Sequence, residues 1–302
     1  MILGGSMSEV KRKKRFRDRR DARRIKMPAM MRLLTYLTDR QDADVYMNKK
    51  IDVTELVKYM KEKKKKNPDI TYFHAFSIAI SKVIYNRPKL NRYIINHNCY
   101  ERDDVILTFT AKVDYSDEAK EVMSLIKVDK NDNINTLSYK IKKKVEGFRK
   151  NKKQNSTDDS LDLLDKLPGW MLKFFVAPIA KFMDRHDLLP NSLNNELLYN
   201  STVILSNLGS IKCGAIYHHL TNFGTNGILV TIGDIHKEQM VMPNGKVEIR
   251  DVVEFGINLD ERIADGVYFS KAINLLDYIF RNPETLEDNA STKIEEKKDF
   301  EY

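Results

Sequence analysis

The run from Lys246 to Asp260, KVEIRDVVEFGINLD, constrains the fold of this 302-residue chain more than any other stretch. It reads as one long strand. The turn at Pro243-Asn244-Gly245 ahead of it, preceded by KEQMVM, has the residue chemistry that joins two antiparallel strands. STVILSN and NGILVTIGDI read as further strands after residue 200, and DVILTFTAKVDY and EVMSLIKVD as two more in the first half.

Helices supply the other layer. Asp52 and Glu55 read as a capping box for VTELVKYMKEKKKK, whose Val53, Leu56, Val57 and Met60 recur at helical spacing until Asn67-Pro68 stops it. YFHAFSIAISKVIYN puts Phe73, Phe76, Ile80, Val83 and Ile84 on one face and ends ahead of Pro88. A third helix is predicted over about 135–150. A closing helix after Asp265-Gly266 is predicted to bury Val267, Ala272, Leu276 and Ile279 and to end at Pro283. This order is α+β, with helices packed on a largely antiparallel or mixed sheet. No Gly-rich phosphate loop follows a strand, no GxSxG elbow occurs, and no His/Cys/Asp group has metal-ligand spacing, so neither a dinucleotide fold nor a metal is expected.

Net charge is +9, and all of it sits in residues 11–26, KRKKRFRDRRDARRIK; outside that run the chain is neutral, 41 cations against 41 anions. The run reads as a solvated arm, with nucleic acid or another polyanion as its alternative partner. One aromatic, Phe16, does not make a base-stacking pattern. The opening MILGGSMSEV reads as an expression scar ahead of a native start at Met7. Two cysteines, Cys99 and Cys213, are too few for a disulfide framework and suit a reducing cytoplasm. GWMLKFFVAPIAKFM is shorter than the roughly 20 residues a bilayer needs and holds Lys173, Pro178 and Lys181, so it reads as a buried or interfacial helix and no membrane partner is expected.

SNLG (Ser206–Gly209), INLDERIADG and the helix ending RNPETL together resemble the catalytic domain of dihydrolipoyl acyltransferases from 2-oxo acid dehydrogenase complexes, relatives of chloramphenicol acetyltransferase. MMRLLTYLTDRQDADVYMNKKIDVTEL and FHAFSIAISKVIYNRPKLNRY resemble the opening helix, first strand and hPxLN segment of that domain. The resemblance spans 27–286, with 1–26 as the scar and basic arm, an insert at about 151–195, and a charged flexible tail over 287–302. It implies a chloramphenicol acetyltransferase-like two-layer sandwich, coenzyme A or acyl-CoA as substrate, and a homotrimer with active-site channels between subunits. No lipoyl domain is present, and the chain reads as a stand-alone relative.

In such proteins a histidine deprotonates the acceptor, and a serine or threonine hydroxyl from the neighbouring subunit stabilises the tetrahedral oxyanion. The resemblance makes Ser206 the oxyanion residue, with a turn hydroxyl beside Asn207 as its alternative reading. It makes Asp265 a support residue paired with Arg32, with Gly266 beside it; helix capping is the alternative for Asp265. The base position, however, holds Glu261. An unperturbed glutamate titrates near 4.3, well below histidine's 6.5 or so, unless burial raises it. His218 and His219 are the alternative bases. The expectation is acyl transfer to an unknown thiol, amine or hydroxyl acceptor with weak or altered activity, or else a catalytically silent trimeric paralogue that binds CoA or serves assembly.

Overall fold

The predicted hairpin is the centre of the molecule. A computed structural model of the chain describes residues 15, 17–112, 121–151, 167–191 and 197–295. Its elements are β1 (Ala22–Ile25), α1 (Ala29–Leu37), β2 (Asp44–Asp52), α2 (Thr54–Lys66), α3 (Tyr72–Asn86), β3 (Arg92–Ile95), β4 (Asn98–Arg102), β5 (Val105–Lys112) and β6 (Glu121–Val128). They continue with α4 (Ile134–Asn151), a helical stretch over 169–185 (α5), β7 (Val203–Asn207), β8 (Ile228–Val241), β9 (Val247–Asp260) and α6 (Gly266–Arg281). NGILVTIGDI and KEQMVM thus form one strand, β8, kept continuous by a register shift between Ile232 and Ile235.

The main sheet runs β2-β9-β8-β7-β5-β6, with β5–β7 and β7–β8 parallel and the other pairs antiparallel. Its two faces differ because side chains alternate along each strand. Val203, Leu205, Val230, Ile232, Phe255 and Ile257 join the main core, which α2, α3, α4 and α6 share. Ile204 and Leu229 point the other way and pack with Leu220 in a smaller cluster. The mixed sheet with helices on one side is the α+β arrangement read from the sequence.

Local details differ from expectation in physically simple ways. Asp52 does not form a capping box with Glu55; it accepts from the Thr54 N–H and hydroxyl and pairs with Arg250. The capping box belongs to α3 instead, where Thr71 caps and the His74 ring closes it through Nδ1, 3.1 Å from the Thr71 nitrogen. Val267 is exposed, one turn position away from the buried stripe of Phe269, Ala272, Leu276 and Ile279.

Burial pulls the His74 ring from 6.5 down to about 4. From near pH 6.5 downward the unfolded chain takes up a proton that the native ring refuses. Stability therefore falls as pH drops towards about 4, by about 3 kcal/mol in all, and the loss stops once the native ring also charges. Urea unfolding between pH 7 and 4 should show this slope. His74→Gln, which can also reach the Thr71 N–H and does not titrate, should flatten it.

The second half of the basic run is not a free arm. β1 pairs antiparallel with β4 in a small sheet, β1-β4-β3. The Arg19 guanidinium lies 6.0 Å from both the Tyr93 and Tyr100 rings and bonds the Asp184 carbonyl at 3.0 Å. Asp21 pairs with Arg102, whose side chain is only 2% exposed, and accepts from the Tyr93 hydroxyl. A basic segment can fold in this way because arginine stacks on rings and bonds carbonyls. Removing residues 1–26 should cost about 3 kcal/mol or more, since Arg102 loses its carboxylate partner. Thermal melts of the full and shortened chains measure it; an unchanged midpoint restores the solvated-arm reading.

The other end is also docked, up to residue 295. Ala290 is buried, its N–H and that of Ser291 bond the Asp132 and Lys130 carbonyls, and Lys82 donates to the Asp288 and Asn289 carbonyls. Of the predicted insert, 152–166 and 192–196 lie outside the described residues. Most of the rest forms α5, whose Trp170, Phe174, Phe175, Ile179 and Phe182 are exposed in the single chain rather than buried.

Candidate functional site

Ser206 ends β7 on the face away from the helices, in the same alternation as Ile204. It is partly exposed, and its hydroxyl donates no hydrogen bond among the described residues. The local turn is held by the Ser210 hydroxyl on the Asn207 carbonyl instead. Beyond this turn the segment 213–219 lies flat across β8 and β9. Two glycines make the close approach possible: a Cβ on Gly256 would meet the Ile216 oxygen at 2.4 Å, and one on Gly233 the Ala215 nitrogen at 2.8 Å.

The segment carries His218 and His219 outward, both exposed. Asn258 fixes its path, accepting from the His218 N–H at 3.2 Å and donating to the His218 carbonyl at 2.7 Å and to Asp44. Asp44 also accepts from the Leu220 N–H. Burial raises the Asp44 carboxyl, and these donors hold it back. Burial and the neighbouring His219 lower His218.

Glu261 follows β9 directly. Its backbone N–H bonds the Ala43 carbonyl at 3.0 Å, while its side chain is exposed. The corner that presents it is a buried ionic group which sequence reasoning missed. Asp260, fully buried, takes two 2.8 Å bonds from Arg262, and the Arg40 Nε lies 3.7 Å away. Arg262 continues to the Thr38 carbonyl, and Arg40 to the carbonyls of Gly224 and Ile94. Burial pulls the Arg40 guanidinium down, and Asp260 opposes this. The sequence signal was the pair of arginines flanking the motif, Arg40 in TDRQ and Arg262 in DER, either able to fork onto a carboxylate.

The expected Asp265–Arg32 pair is not made among the described residues. Asp265 caps α6, accepting from the Tyr268 N–H at 2.8 Å, and is exposed. Gly266 opens α6, and a Cβ there would meet empty space. Arg32 lines a basic groove of about 540 Å³ with Arg15, Arg17, Arg24, Lys26 and His97. The carboxylate that pairs with arginine at this corner is Asp260, which the fold buries, and not Asp265.

Ser206 and Glu261 are not brought together within one chain. Ser206 is level with Thr231, and Thr231 with Gly256. Glu261 lies five residues further on. At about 3.3 Å per residue and about 4.8 Å per strand, the two stand roughly 19 Å apart. A cleft at the Glu261 corner, walled by Asp39, Arg40, His97, Lys181, Asn222 and Arg262, holds about 180 Å³. That is below the several hundred Å³ of an enclosing ligand pocket. No group of three or more His, Cys, Asp or Glu among the described residues is placed to hold a metal ion. No helix among them is long and apolar enough to cross a membrane.

Residues 185–287 match the family model of the 2-oxoacid dehydrogenases acyltransferase (catalytic domain). The fold is shared with dihydrolipoamide acetyltransferase from Azotobacter vinelandii at a TM-score of 0.58 and 12% identity, over 87% of this chain and 93% of that one. It is also shared with the cubic core of the pyruvate dehydrogenase multienzyme complex, TM-score 0.56 and 11% identity over 87% and 93%. A truncated catalytic core of the 2-oxoacid dehydrogenase multienzyme complex from Thermoplasma acidophilum gives 0.55 and 16% over 86% and 98%. No curated protein matches the sequence.

Proposed function

We propose, from the match of residues 185–287 to the family model of the 2-oxoacid dehydrogenases acyltransferase (catalytic domain), that the protein is a CoA-dependent acyltransferase assembled as a homotrimer, with weak or altered activity. The observation that carries this reading is the separation of Ser206 and Glu261. Both lie in the matched segment, five residues and two strands apart on the sheet, so one chain does not bring them together, and a shared site would take one from each of two chains. The cubic assembly seen for one structural relative supports it, because a cube has three-fold axes through its corners. The exposed 216–219 segment offers a surface for such contact.

In the proposed reaction Glu261 takes the proton from a thiol, amine or hydroxyl acceptor. The acceptor attacks the thioester carbonyl of acyl-CoA, and the Ser206 hydroxyl of the neighbouring subunit bonds the oxyanion. Collapse expels the CoA thiolate, which recovers the proton from Glu261. The Azotobacter vinelandii relative is described by the roles of a serine, a histidine and an asparagine in its catalytic mechanism. Here a glutamate in place of histidine becomes a neutral acid once it has taken the proton, so the developing oxyanion lacks the positively charged imidazolium that a histidine would set beside it. The cations round the 540 Å³ groove suit the phosphate-bearing end of CoA.

Light scattering with a thiol-release assay on acetyl-CoA tests the reading. A stable monomer at micromolar concentration removes the shared site. A trimer that binds CoA without turnover on any acceptor selects the second reading, a silent paralogue, which the glutamate at the base position favours.

A further inference from the structure

The most conspicuous unused feature is α5. Pro178 removes the N–H that the Phe174 carbonyl would accept, and the helix widens to a π-turn over Leu172–Val176. Leu172, Val176, Ala180 and Met183, spaced three or four apart, are half-buried towards the body. The rest of the circumference carries Trp170, Phe174, Phe175, Ile179 and Phe182, each more than half exposed. Five large apolar side chains on one helix leave a patch that water solvates poorly.

The charges say what covers it. Lys173, Lys181 and Arg185 are exposed, whereas the one acid, Asp184, is buried with Oδ2 on the Gly224 N–H. The C-terminal end of α5 is held by Arg19, which bonds the Asp184 and Arg185 carbonyls. Against a second copy of itself the helix would face its own cations. An anionic surface neutralises them while its acyl layer takes the aromatic rings.

We propose that α5, with its exposed Lys173, Lys181 and Arg185, forms a docking surface for an anionic lipid membrane, on which the helix lies in the interface without crossing it. Trp170 sits at one end of the helix and Arg185 at the other, with the aromatic rings between. This surface does not depend on acyl transfer, and a protein inactive in every assay should still show it.

Trp170 is the only tryptophan, so its emission reports the contact directly. The full chain should sediment with phosphatidylcholine vesicles in which about a third of the lipid is phosphatidylglycerol, and not with phosphatidylcholine alone; binding should weaken with salt. Trp170 emission should shift to the blue on binding. Lys173→Glu with Lys181→Glu, and separately Phe174→Ser with Phe175→Ser, should each lower vesicle affinity at least about tenfold while leaving the melting temperature unchanged. Equal binding to both vesicle types, insensitive to the charge reversals, overturns the proposal in favour of unspecific adsorption. No sedimentation overturns it outright. Emission already blue without lipid, reddening on dilution as the mass falls, assigns the face to a second copy instead.

Discussion

Glu261→His should raise acyl transfer by roughly 10²- to 10⁴-fold, the usual contribution of a general base. The side chain is exposed and makes no ion pair or hydrogen bond among the described residues, so the substitution breaks no contact within the chain. Its backbone is held independently, by the bond to the Ala43 carbonyl and by the Asp260 corner on one side and the α6 cap on the other. An imidazole introduced there becomes a cation on taking the acceptor proton and so stabilises the oxyanion, which a glutamate, neutral once protonated, does not. Adding Ser206→Ala should remove much of the gain, because the oxyanion needs its donor whichever base acts. The assay is CoA thiol release with dihydrolipoamide and a panel of thiol, amine and hydroxyl acceptors. A fast wild type that Glu261→His slows would identify glutamate as the working base. If neither form binds CoA, the acyltransferase reading fails.

The sheet was legible in the sequence because its strands carry alternation and turn chemistry, as in KVEIRDVVEFGINLD after Pro243-Asn244-Gly245, and those signals are local. So was α3, whose apolar stripe and following Pro88 bracket it within a residue. The packing of the basic run was not legible. An arginine-rich stretch has no apolar periodicity, and Arg19 and Asp21 acquire partners only when Tyr93, Tyr100 and Arg102 arrive from far along the chain. The ion pair at the corner was not legible for the same reason. Asp260 and Asp265 look alike in INLDERIADG, and only burial separates an ion-pair anchor from an exposed helix cap.

That burial makes Asp260→Ala the change with the largest expected effect on stability. Two guanidiniums, Arg40 at 5% and Arg262 at 6% exposure, would keep their places with no carboxylate between them. Leaving buried charge unpaired costs about 3–5 kcal/mol, which for a chain of this size corresponds to a fall in melting temperature of roughly 5–8 °C. Asp265→Ala should cost only about 1 kcal/mol, the loss of one N-cap. Had Asp265 been the ion-pair anchor, the order would be reversed. Asp260→Asn should fall between, since its amide oxygen still accepts one arginine bond but supplies no charge. Arg40→Met with Asp260→Leu and Arg262→Met should recover much of the loss, because an apolar triple removes the stranded charges together with their partner. Thermal melts of these four variants decide the matter. An Asp260→Ala chain that melts with the wild type would mean water reaches the corner, and then Glu261 would have no rigid seat from which to act as a base.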